Sequence, residues 1–424
     1  MSRLHRPQPN LRVAAFLALA AAAHAIGGPP WFLSIVDPRH PSDDTYGVGV
    51  SGDGTCVVGA VANVEGAVPF RWSLAGGFQR LEVPPGGTPT AIAFACSFDG
   101  STAVGLVDVP PSWGRHAAKW DAAGELRLLP HLDVTGQAVS YANACSADGL
   151  RIVGASFSAA SQASVPVRWD EGGTTISALG SSVGEAYAVT PSGVQIVGGS
   201  LFATGLGAFR WNAALGMGAL GEMVGGGHTH AAYGLSADGQ VVVGEGVAGN
   251  QLVAFRWSDA TGAVPLGVLA NEPGSAATAL SADGTVIVGA SGFRSLPGKA
   301  FIWTQDRGLR DLKEVLEADF GLNIAGHRLD YASGISADGL TIAGMGQDSS
   351  GHTRGWVAHL GTTCIANCDG STSSPVLNIS DFICFLTRYA AGDPYANCDG
   401  STSPPILNVN DFVCFQAKFA AGCP

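Results

Sequence analysis

Two stretches near the C-terminus concentrate the oxygen-bearing side chains of this sequence: NCDGSTSSPVLNISDFICF from Asn367 and NCDGSTSPPILNVNDFVCF from Asn397. In the first, Asn367, Asp369 and Ser371 alternate, and Asn378 and Asp381 stand three apart. Asn397, Asp399, Ser401, Asn408 and Asp411 repeat that spacing. Alternating oxygens on a loop that ends in a carboxylate at a helix start suit calcium, a hard cation that takes oxygen ligands from flexible loops. Up to two calcium ions are expected, one per loop. Each loop offers only two carboxylates and runs 15 residues, 367 to 381, where the usual calcium loop has 12. A metal-free, disulfide-held pair of turns is the alternative.

Six of the nine Cys fall in this segment: Cys364, Cys368, Cys384, Cys398, Cys414 and Cys423. The preferred pairing ties each loop to its own helix, Cys368 to Cys384 and Cys398 to Cys414, and clasps the ends through Cys364 and Cys423. Spacing alone leaves fifteen pairings open. Zinc would want two close ligand pairs, and only Cys364 and Cys368 are close enough to make one.

A helix is expected after each loop. Phe382, Phe385, Leu386 and Tyr389 recur at helical spacing, as do Phe412, Phe415 and Phe419, and Ala-Ala-Gly closes each run. Neither copy is large enough to hold a core alone, so the two should pack face to face. Residues 362–424 resemble a dockerin, of the Gly- and Cys-containing kind found at the C-termini of some exported bacterial proteins. The resemblance implies a small α-helical module with two calcium-loop–helix repeats, docking to another exported or cell-surface protein. The longer loops, and Asn and Ser in place of acidic ligands, depart from that pattern.

A second, larger repeat precedes this module. Ser51, Ser97, Ser146, Thr190, Ser236, Ser281 and Ser336 each open a tight turn. All but the fourth read Ser-x-Asp-Gly; the fourth is Thr190-Pro191-Ser192-Gly193. Each is followed 20 to 23 residues later by a Trp: Trp72, Trp120, Trp169, Trp211, Trp257, Trp303 and Trp356. A fixed gap across variable loops marks a repeated structural unit. Within a unit, Asp-Gly is read as supplying the positive-φ residues of a hairpin turn. A Val-Val-Gly strand, a Phe-Arg-Trp strand and a Leu-Gly outer strand follow. Four strands per unit, seven times over, predict an all-β, seven-bladed β-propeller across residues 26–361. The last unit stops after its third strand, and WFLSIVDP (Trp31 to Pro38) is an orphan apolar run. It is expected to supply the missing outer strand and close the ring; an open solenoid is the alternative. RDLKEVLEADFGL (Arg310 to Leu322) is expected to form an amphipathic helix against the ring.

These units resemble the extracellular HAF repeats, with Ala254-Phe255-Arg256-Trp257 and Ala208-Phe209-Arg210-Trp211 matching best. The His of that motif survives only in the second unit, as His116-Ala117-Ala118. The resemblance implies an exported propeller and no particular reaction.

Residues 1–25 read as a secretory signal: Arg3, Arg6 and Arg12, the apolar run Val13 to Ala23, and a small-x-small site at Ala23-His24-Ala25. The mature chain is expected to be secreted or at the cell surface, without a transmembrane segment. Its nine Cys are then disulfide candidates, although Cys56, Cys96 and Cys145 leave one propeller thiol over. Cys96 and Cys145 occupy matching places in adjacent units, as a bridge or as two buried thiols. A net charge of −12 argues against nucleic acid. No His-Glu-x-x-His or phosphate loop is present. His228 and His230 would face one side of a strand, as a metal pair can. The expected function is an exported, non-enzymatic binding or scaffold propeller, with a carbohydrate or protein ligand on its face. The alternative is a polysaccharide-acting enzyme, glycoside hydrolase or lyase, with a dockerin anchor.

Overall fold

The computed structural model describes residues 30–421 apart from 64–65, 86–89, 111–113, 134–138, 293–296, 362–365, 369–376, 393–395, 397 and 399–406. The expected signal segment, Cys364, Cys423, Asp369, Ser371, Asn397, Asp399 and Ser401 lie outside the described residues.

Among the described residues twenty-eight strands, β1 (Trp31–Ile35) to β28 (Thr353–His359), form seven four-stranded antiparallel sheets. Six sheets take consecutive strands, the first running from Asp44–Val50 to Gly77–Arg80 and the sixth from Ser275–Leu280 to Gly308–Asp311. The seventh is ordered β1, β28, β27 (Thr341–Gln347), β26 (Arg328–Ile335), so the N-terminal strand is the outer strand of the last blade. The orphan run is therefore the closing strand, and the ring is a seven-bladed β-propeller. Phe32–His359 forms one compact unit, and Leu360 onward falls in a second.

The turn that opens each unit shows why the sequence repeats. The serine hydroxyl donates to the aspartate, as in Ser51 to Asp53 at 2.6 Å and Ser97 to Asp99 at 2.7 Å. It accepts the backbone N–H five residues on, from Cys56 or Thr102. The aspartate accepts the N–H two residues after itself. Only the glycine has positive φ, from 65° to 77° in the seven turns. Asp is thus required for its carboxylate and not, as read from the sequence, for a left-handed backbone.

The same turns join neighbouring blades. The N–H of Phe98 donates to the Ala147 carbonyl, Ala147 to Pro191, Ala237 to Ala282, Ala282 to Ala337 and Ala337 to Gly52, with Asp53 bonding Phe98. Pro191 has no N–H, so the bond from the fourth blade to the fifth is missing. Further out, the indole N–H of Trp120 donates to Glu82 and that of Trp169 to Pro130, in chain leaving the previous blade. Arg168 lies over the Trp211 ring at 4.9 Å and Arg210 over Trp257 at 4.7 Å, cation–π contacts between successive blades.

A short helix, α1 (Leu312–Ala318), starts at an Asp311 cap and buries Leu312, Val315 and Leu316 against the last strands of the sixth blade. It is shorter than the pattern from Arg310 to Leu322 implied.

The turn carboxylates give the fold a direction of pH dependence. Asp99 is lowered to about 2 by the Ser101 N–H and the Ser97 and Ser101 hydroxyls. Asp148 and Asp238 are lowered by the Ser146 and Ser236 hydroxyls and the N–H groups of Leu150 and Gln240. A depressed folded-state value stabilises above the unfolded carboxylate value of about 3.9 and is lost as pH falls through the folded one. The propeller's thermal midpoint should hold from pH 7 to about 5 and drop between about pH 4 and 2. Melting curves across this range check it; a flat midpoint down to pH 2 contradicts it.

Candidate functional site

The innermost strands β2 (Asp44–Val50), β6 (Ala91–Cys96), β10 (Ser140–Cys145), β14 (Gly184–Val189), β18 (His228–Leu235), β22 (Ser275–Leu280) and β26 contact one another in a closed ring and line the propeller axis. Each carries a β-bulge at the same place, three residues before the turn Ser or Thr. The bulged residues are Val48, Phe94, Asn143, Tyr187, Tyr233, Thr278 and Ser333. A bulge adds a residue without a ladder partner and re-aims its side chain. Where that residue is short and polar it bonds the next blade: Asn143 donates to the Ala186 carbonyl, Thr278 to Ala332 and Ser333 to Gly47. Two residues earlier stand Tyr46, Ile92, Tyr141, Glu185, Ala231, Ala276 and Tyr331. The repeats, alike in their turns, differ at these two levels.

On one arc of the wall the variable residues form an acid-and-phenol cluster. The Tyr187 and Tyr233 rings are 5.2 Å apart, and Tyr233 hydrogen-bonds the carboxylate of Glu245, a residue 2% exposed. Burial first, and Glu245 next, push Tyr233 and Tyr331 far above the usual phenol range; for Tyr187, burial is followed by Glu185 and then Glu245. These phenols stay protonated wherever the protein is folded, as neutral donors. Burial also raises Glu185, against an opposing bond from Asn143.

Beside this arc a cavity of about 450 Å³ is lined by Phe94, Arg115, Tyr141, Asn143 and Glu185, with Thr90, Ile92 and Leu106 behind. Arg115 reaches the Tyr141 hydroxyl at 3.4 Å, which raises its already high pKa. Sequence reasoning passed over this wall because it compared the residues the repeats share. The signal was in the difference: aromatic and acidic residues three or five positions before some of the turns and not others.

His228 and His230 do share one side of β18 (His228–Leu235), their Nε2 atoms 3.0 Å apart. His116 and His131 make a second pair at 2.6 Å, His131 lowered to about 4 by burial and then by His116. Among the described residues no group of three or more His, Cys, Asp or Glu is placed to hold a metal.

In the C-terminal unit, helix α2 (Ile379–Ala390) follows the first loop and α3 (Val409–Ala421) the second. Disulfides join Cys368 to Cys384 and Cys398 to Cys414, each loop to its own helix. Phe385 stacks on Phe415 at 4.0 Å, both fully buried, within a core that includes Phe382, Phe412 and Phe419. Asn378 and Asp381 form a capping box: Asn378 accepts the Ser380 N–H, and Asp381 accepts the Asn378 N–H at 2.8 Å. Asn408 and Asp411 make the same two bonds at the second helix. Asp381 and Asp411 are 0% exposed. All candidate ligands are oxygen donors, which fits calcium and not a thiophilic metal. Ile379, Ile383 and Leu386 on α2, and Val409 and Val413 on α3, are exposed.

No family model matches the chain, and no curated protein matches it. Solved structures align with it over most of its length. An oligogalacturonate lyase in complex with manganese aligns with TM-score 0.51 at 12% identity, covering 80% of this chain and 99% of that one. TolB from Acinetobacter baumannii aligns at 0.44 and 14% identity, covering 72% and 80%. The β-propeller domain of the Trilobed protease from Pyrococcus furiosus aligns at 0.49 and 8%, covering 74% and 95%. At 12% identity the likeness to the lyase is one of fold.

Proposed function

We propose that this is an exported, non-enzymatic binding propeller that takes a saccharide at its channel wall and is held to an extracellular or surface protein by its C-terminal dockerin-like module. The observation behind the ligand class is the composition of the wall. Aromatic rings, a guanidinium, an amide and a carboxylate converge on one cavity, while the residues common to all repeats are occupied in holding blades together. Aromatic faces pack on sugar C–H surfaces, and planar polar side chains bond vicinal hydroxyls. The all-oxygen loops support the calcium reading of the module. The exposed apolar residues on both helices support a docking role for it.

The second reading, a polysaccharide-acting enzyme, draws support from Glu185, a carboxyl held above its usual range beside phenol donors. Calorimetry against a panel of neutral and acidic oligosaccharides tests both. Tyr141→Ala and Glu185→Gln should each weaken binding about tenfold or more. Leu215→Ala, 83% exposed in a turn outside the cavity lining, should leave it unchanged. If no oligosaccharide binds, or the wall variants bind as the wild type does, the saccharide reading fails. Shortened products with the wild type that vanish in Glu185→Gln establish the enzyme instead.

A further inference from the structure

Every blade interface repeats one contact. The turn glycine of each blade sits on the residue five positions after the turn Ser or Thr of the blade before. A Cβ on Gly54 would meet Thr341, on Gly149 Thr102, on Gly239 Gln195, on Gly284 Val241 and on Gly339 Val286. On Gly100 it would lie 2.5 Å from the Cβ of Cys56 and 2.8 Å from its sulfur. The residue just before the turn Ser packs into the same contact, as Leu280 does with Val241. These two positions therefore meet across the blade interface. They are Cys56 and Cys96 between the first and second blades, and Thr102 and Cys145 between the second and third. Only the first interface places a thiol at both.

We propose that Cys56 and Cys96 are a redox site that closes into an inter-blade disulfide when the protein meets a disulfide oxidant. The two share one buried cluster, and their side chains hydrogen-bond each other; Cys145 belongs to the neighbouring cluster. A bridge between Cys96 and Cys145, the matching pair in the sequence, joins residues of successive interfaces and not of one. In the reduced protein Cys96 donates to Cys56, which lowers Cys56 and raises Cys96. One of the two, as its thiolate, displaces one sulfur of a small-molecule disulfide, and the other resolves the mixed disulfide. One S–S bond forms and one breaks, two thiols are oxidised, and the oxidant leaves as two thiols carrying both protons. The two disulfides of the C-terminal unit show such chemistry in the same chain. Cys56 is 3% exposed and Cys96 half-buried, so closure belongs to folding or to a local opening of the first interface.

The full chain is equilibrated with oxidised and reduced glutathione at varied ratios, denatured without reduction, alkylated and mapped. The expected result is a Cys56–Cys96 linked peptide, Cys145 alone alkylated in the propeller, and a propeller midpoint about 5 °C or more above that of the reduced protein. Cys145→Ser should keep the linked peptide. Cys96→Ser should leave Cys56 and Cys145 both alkylated and remove the redox dependence of the midpoint. Three alkylated thiols in folded, oxidised wild type, or a link through Cys145, overturns the proposal.

Discussion

A chain shortened to begin at Val36, lacking the closing strand, should lose about 10 °C or more of propeller midpoint or fail to fold, and should do so in one transition. The strand's contacts reach three parts of the ring. Phe32 stacks near Trp356, itself 1% exposed, and meets the His327 ring edge-on. Ser34 bonds His327, and the Ile35 carbonyl accepts the Thr45 hydroxyl at 2.6 Å. Removing the strand strips β28 of its ladder partner, exposes Trp356 and leaves an open edge. Since each blade is stabilised by its two neighbours, damage at the seam spreads round the ring. Ile35→Ala, removing a side chain 0% exposed, should cost about 2–5 kcal/mol by leaving a cavity. A shortened chain melting within about 2 °C of wild type would mean that the seam contributes little.

Calcium should raise the midpoint of the C-terminal unit and leave that of the propeller where it is. Asp381→Ala and Asp411→Ala are poor probes, because each removes a capping box worth about 1 kcal/mol whether or not metal binds. Asp369→Asn with Asp399→Asn is the cleaner pair: it deletes loop carboxylates and spares the caps. At calcium a hundred times its dissociation constant, each bound ion adds about 2.7 kcal/mol. In a unit this small that is a shift of about 10 °C or more. The double Asn variant should lose the shift while matching wild type in chelator. Calorimetry of the full chain, disulfides intact, with calcium and with chelator, reads this directly. A wild-type C-terminal transition that ignores calcium makes the loops disulfide-held turns.

The ring was legible in the sequence because its frame is periodic. The Ser-to-Trp interval survives loops of any length, and the orphan run Trp31 to Pro38 could fit only where a strand was missing. The helices after the two loops, and their disulfides, were legible from apolar spacing and Cys separation. The channel wall was not. A bulge is a backbone event three residues from the turn, and nothing in Tyr187 or Tyr233 by itself announces which side of a strand it will face. The partnership of Cys56 with Cys96 was hidden for a related reason. The two occupy unlike places within their units, and only the stacking of one blade on the next makes them neighbours.

The bulges have a consequence for how such a protein can change. A bulged residue has no partner in its ladder, and three of the seven here, Val48, Phe94 and Tyr187, make no bond to the next blade's carbonyl of the kind Asn143, Thr278 and Ser333 make. Their side chains can be exchanged without disturbing the turns, glycine contacts and Trp anchors that hold the blades. The ring therefore works as a holder with interchangeable settings round its bore, and selection can retune what it recognises one residue at a time without rebuilding the holder.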